Sequence, residues 1–77
     1  MMRYVTFNVE VATEYGVSVA IILEHLFICE SLDKLHKEEF NKKSASLESL
    51  YCIFPFFTED QIKESLECIK INHLFNL

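Results

Sequence analysis

The segment that decides the fold is FPFFTEDQIKESLECIK, residues 54 to 70. Pro55 disfavours helical geometry at Phe54, so any helix arriving from the N-terminal side must stop there. Thr58 is a good N-cap, and Gln61 three residues later completes a capping-box pattern. From there Ile62, Leu66 and Ile69 recur at helical spacing on one face, which predicts a helix reaching about Lys70. The segment therefore reads as a turn carrying Phe56 and Phe57, followed by a capped amphipathic helix. A helix in such a position often enters a DNA groove. The outward residues here are Glu59, Asp60, Lys63, Glu64, Glu67 and Lys70, two positive against four negative. That charge opposes the approach of a polyanion.

Working outward, the preceding residues supply the helix that the turn needs. SLESLYCIF, residues 46 to 54, begins with a capping Ser46 and holds Leu47, Leu50, Tyr51 and Phe54 inward. Before it, HKEEFNKKSAS, residues 36 to 46, breaks the apolar rhythm and reads as a solvated loop. It contributes to a lysine cluster, Lys34, Lys37, Lys42 and Lys43, diluted by Glu38 and Glu39.

The longest element comes earlier still. Ser18 is the expected cap of a helix that runs to about Leu35, with Val19, Ile22, Leu23, Leu26 and Cys29 as its main stripe. Ile21, Phe27, Ile28 and Leu35 fall on its other faces, which marks these four as candidate interface residues. Gly16 is read as the stop of a short helix over VEVATEY, capped by Asn8. RYVTF, residues 3 to 7, alternates and is rich in β-formers, so it reads as a strand. HLFNL, residues 73 to 77, is the expected closing strand.

Composition sets the remaining bounds. Seventy-seven residues, 51% hydrophobic and 25% charged, describe one small globular domain. A chain of this size buries only about 60% of its unfolded surface, which favours self-association. The net charge of −5 disfavours nonspecific attraction to nucleic acid or anionic membranes. Three widely spaced cysteines, Cys29, Cys52 and Cys68, and the absence of an N-terminal h-region predict a reducing, cytoplasmic setting with cysteines packed as small apolar groups. The apolar run Val17–Cys29 is too short to span a bilayer, which needs about 20 such residues.

A resemblance covers most of the chain. FNVEVATEYGVSVAIILEHL, followed by SLESLYCIFPFFTEDQIKESLECIK, resembles the N-terminal helix-turn-helix domain of phage and plasmid replication initiators. DnaD-like primosomal proteins have a similar domain. The residues that carry it are Phe7, Ala12, Gly16, Ala20, Ile21 and Leu23, then Phe54, Pro55, Phe56, Thr58, Gln61, Ile62 and Leu66. It implies a mainly α, winged-helix-like fold with a minor β element and a truncated wing. The chain departs from the family in lacking its tryptophan and in having Ile71-Asn72-His73 where a glycine usually precedes the wing.

Two functions follow from the resemblance and the charges together. The first is a non-enzymatic domain of a replication-initiation or primosome-like protein, acting as a homodimer or other homo-oligomer, or docking on a protein partner. The second is double-stranded DNA binding through the helix at 59–70. Gln61 and Lys63 are then the base-edge candidates, Arg3, Lys42 and Lys43 the phosphate contacts, and Lys70 a further contact on the same helix. Catalysis is not expected: one glycine gives no phosphate cradle, and no nucleophile elbow is present. His25 and Cys29, four apart, are better read as core packing than as metal ligands, since no CxxC or HxxxH pair occurs. No cofactor, small-molecule substrate or membrane partner is implied. The expected core is Val11, Ile22, Leu26, Leu47, Leu50, Phe54, Ile62, Leu66 and Ile69.

Overall fold

The computed structural model describes residues 4–77. Its elements are four α-helices, α1 (Val9–Tyr15), α2 (Val17–Leu35), α3 (Leu47–Ile53) and α4 (Glu59–Ile71), with a 3₁₀ turn at Lys42–Ala45. The fold is mainly α, and there is no strand among the described residues. Helix α2 is the hub: α1 packs against one part of it and α4 against another, while α3 packs against α4 and the 3₁₀ turn.

Local chemistry accounts for most boundaries. Asn8 Oδ1 accepts from the amides of Glu10 (2.9 Å) and Val11 (3.1 Å), which satisfies two of the open donors at the start of α1. Ser46 Oγ accepts from the Ser49 amide at 3.2 Å and starts α3. At α4 both arms of the capping box are made. Thr58 Oγ1 accepts from Gln61 N–H at 3.1 Å, and Gln61 Oε1 accepts from Thr58 N–H at 2.8 Å.

Gly16 does more than stop α1. It is at once the C-cap of α1 and the N-cap of α2, with φ 101° and ψ 158°. That conformation is open essentially to glycine alone. Its amide donates to Ala12 O (2.9 Å) and its carbonyl accepts from Ala20 (3.1 Å). The expected cap of α2, Ser18, is thus displaced into the first turn. Its hydroxyl instead pairs with that of Ser65 on α4, 3.1 Å away, and Ser65 Oγ also donates to Gln61 O at 2.7 Å. Ser65 is the one polar residue in the buried set, and this bonding keeps it satisfied.

Both expected strands are absent. Residues 4 to 7 run irregularly with no ladder partner, and Arg3 lies outside the described residues. At the C-terminus the chain reverses instead of extending. His73 N–H donates to Lys70 O (3.2 Å) and Leu74 N–H to Ile69 O (3.0 Å), with His73 at φ 54°. These two bonds form a Schellman motif with histidine in the left-handed position that glycine usually fills. The same motif ends α2: Lys37 at φ 59° donates to Lys34 O (3.0 Å), and Glu38 N–H donates to Asp33 O (2.8 Å). The loop beyond is tied down by Asp33 Oδ2, which accepts from Asn41 N–H at 3.0 Å.

Reversal at His73 folds Phe75 back into the core, where it makes edge-on contacts with Phe27 and Phe40 at 5.3 and 4.9 Å between ring centroids. The sequence reading did not place Phe75 there. Of the expected core, Ile22, Leu26, Leu50, Phe54, Ile62 and Ile69 are buried. Val11, Leu47 and Leu66 are half-buried and pack against the others. Val19, Ala20, Ile21 and Leu23 join them, so the first half of α2 is enclosed on nearly every side.

Candidate functional site

Two surfaces compete for a functional role: the outer face of α4 and the open side of α2. At 100° per residue, the buried stripe of α4 is Ile62, Ser65 and Ile69. Opposite it lie Asp60, Glu64, Glu67 and Ile71, so the most protruding line of the helix is acidic and ends in an exposed isoleucine. Lys63 and Lys70 sit on one flank, with Glu59 beside Lys70 in projection. All three are exposed.

The other residues named for DNA contact are scattered. Lys42 and Lys43 belong to the 3₁₀ turn, which packs on α3 and α2. Gln61 has its side-chain oxygen engaged in the capping box, which leaves only its NH₂ free to donate. Arg3 is outside the described residues. Two elements, then, carry the lysines, and the acidic line of α4 stands clear of its own.

The open side of α2 has a different character. Ile28 is 48% exposed, Leu32 53% and Leu35 75%. Together with Ile21 and His25 they recur at spacings of four, three, four and three along one side of the helix. This is the repeat with which one helix buries a seam against another. Leu32 was missed by the sequence reading, although its spacing from Ile28 and Leu35 was there to find. Ile21 is corrected in the other direction. It is only 6% exposed, so it floors the surface rather than projecting from it. Phe27 is exposed at its edge but is engaged with Phe75.

At the N-terminal end of this side lies a cavity of about 330 Å³. Tyr4 and Val5 form one wall, Ile21 and Ile28 the floor, and Phe54, Pro55 and Phe56 the other wall. Thr6, Glu24 and His25 add polar side chains to the lining. The His25 ring stands edge-on to Phe54 at 5.4 Å.

His25 Nε2 lies 3.4 Å from Cys29 Sγ. Burial pushes the His25 pKa down from its ordinary value. Burial also pushes the Cys29 thiol up, Asp33 adds to the rise, and a hydrogen bond with Ser44 opposes it. Both shifts favour a neutral thiol beside a neutral imidazole, the reverse of the thiolate–imidazolium pair a cysteine nucleophile uses. Cys52 is exposed, contrary to the expectation that all three cysteines pack as apolar groups, and Cys68 is half-buried. Among the described residues no group of three His, Cys, Asp or Glu side chains is placed to hold a metal ion. No helix among them is long and apolar enough to cross a membrane.

Compared with family models, with curated proteins and with solved structures, the chain matches none.

Proposed function

We propose that this chain is a non-enzymatic interaction module that works by docking through the open side of α2. The observation that carries this reading is the exposed apolar seam Ile28–Leu32–Leu35 beside an apolar groove. Exposed side chains that recur on one helix face, next to a concave apolar surface, have the make-up of an interface core. The sequence resemblance adds a setting: the N-terminal, winged-helix-like domain of a replication-initiation or primosome-like protein. The helix, aromatic turn and helix of residues 47–71 are compatible with that setting, as is the overall helix order.

Duplex DNA binding through α4 is the second reading, and Lys63 and Lys70 on its flank are what favour it. The acidic line of Asp60, Glu64 and Glu67 weighs against it, because each nearby carboxylate offsets a phosphate contact. Titrating a labelled duplex with the protein at low and then moderate salt separates the two. The interaction reading expects no saturable binding at micromolar protein. Saturable binding that weakens with salt and with Lys63→Ala would replace it with the DNA reading.

A further inference from the structure

We infer that the occupant of the open side of α2 is a second copy of this chain, packed antiparallel across a two-fold axis. The inference rests on the interaction reading above and names its partner.

Three observations converge on self-pairing. The chain exposes 5780 Å². A compact monomer of its mass, 9.1 kDa, is expected to expose about 4,900 Å². That excess, summed over the whole surface, is of the order of the roughly 800 Å² that each partner buries in a standard interface. Part of it comes from the extended residues 4 to 7, of which Tyr4, Val5 and Thr6 line the groove. Second, the seam is self-complementary. Ile21, His25, Ile28, Leu32 and Leu35 follow a three-four repeat, so the same surface can serve both partners, as an isologous contact requires.

Third, the two ends of the seam differ in shape. The Ile21 end is concave, floored by Ile21 and walled by Tyr4, Val5, Phe54 and Phe56. At the other end Leu35 stands out as the most exposed residue of the seam. Antiparallel packing seats the Leu32–Leu35 end of each copy over the groove of the other. Parallel packing brings Leu35 against Leu35 in solvent and leaves both grooves unfilled. The axis then passes near residues 26 to 28, so the two Ile28 side chains lie within about a turn of each other. The two Leu35 positions are then about 24 Å apart along the helices.

The test is mass and cross-linking on the full chain. Sedimentation equilibrium is expected to give a dimer, which Leu35→Glu converts to a monomer with unchanged helical circular dichroism. In a background carrying Cys29→Ser, Cys52→Ser and Cys68→Ser, Ile28→Cys is expected to form an intermolecular disulfide under mild oxidation, and Leu35→Cys is not. A monomer at every concentration would overturn self-pairing, while the duplex titration separately judges the interaction reading. A Leu35→Cys cross-link formed more readily than the Ile28→Cys one would overturn the antiparallel arrangement. Should Cys29→Ser unfold the background, the mass of the wild type against Leu35→Glu decides self-pairing, with one mass for both refuting it.

Discussion

Both halves of α2 are rich in apolar residues, but their surroundings are opposite. From Val19 to Leu26 nearly every apolar residue is buried, because α1, α4 and the turn at Phe54 close around the helix. From Phe27 to Leu35 five of nine residues are still apolar, against six of eight before them, yet Phe75, backed by Phe40, reaches only one side of the helix. Apolarity alone therefore does not separate buried from exposed positions in a chain this small. What separates them is how many neighbours the chain length provides. The neighbouring elements enclose about half of α2 and leave apolar side chains of the rest exposed.

Substitutions can break or sharpen that contrast. The largest effect is expected in the enclosed half: Leu26→Ala should cost about 2 to 5 kcal/mol by creating a cavity. The same truncation at Leu32 should change the stability of the isolated monomer by about 0.5 kcal/mol or less. Chemical denaturation at low protein concentration measures both, and similar losses at the two sites would erase the distinction.

Gly16→Ala comes next. No atom stands within 4 Å of the added Cβ, so sterics with neighbours are not the issue. The backbone at φ 101° is, and the expected loss is about 1 to 3 kcal/mol. A neutral outcome would mean that the α1–α2 junction relaxes freely. Lys37→Gly tests the other end of α2 and has the opposite sign. Relieving the left-handed strain at the Schellman position should stabilise the fold by roughly 1 kcal/mol.

The smallest effect concerns pH. The pKa of His25 is lowered by burial in the folded chain. The unfolded chain therefore takes up a proton first as pH falls, so stability declines below the ordinary histidine value of about 6.5. Above that value His25 contributes no pH dependence. Part of the ring remains exposed, so the decline is shallow. Replacing His25 with glutamine should flatten this portion of the stability–pH curve. A decline of unchanged slope in that variant would assign it to other groups.

The sequence made the short-range features legible because each depends on residues a few positions apart. Asn8, Ser46 and the Thr58–Gln61 pair cap as expected, and α1 has the predicted bounds. What escaped depends on distant partners. Residues 4–7 and 73–77 have strand-like composition, but a strand needs a ladder that composition does not supply. Phe75 is buried because His73 accepts a left-handed turn, and histidine gives little signal for that. Ser18 lost its capping role to Gly16, whose positive φ goes with joining two helices through one residue. Of the candidate site, Ile28 and Leu35 were legible as residues off the main stripe. Ile21 was not separable from them, since its burial comes from α2's neighbours and not from its own helix.

The most direct test of the open half of α2 is the dependence of thermal unfolding on protein concentration. If that half is covered by a second copy, raising the concentration roughly a hundred-fold should lift the midpoint by several degrees, as mass action requires for any folded-state association. Leu35→Glu should show one midpoint throughout. A wild-type midpoint that stays fixed across the same range would contradict the account.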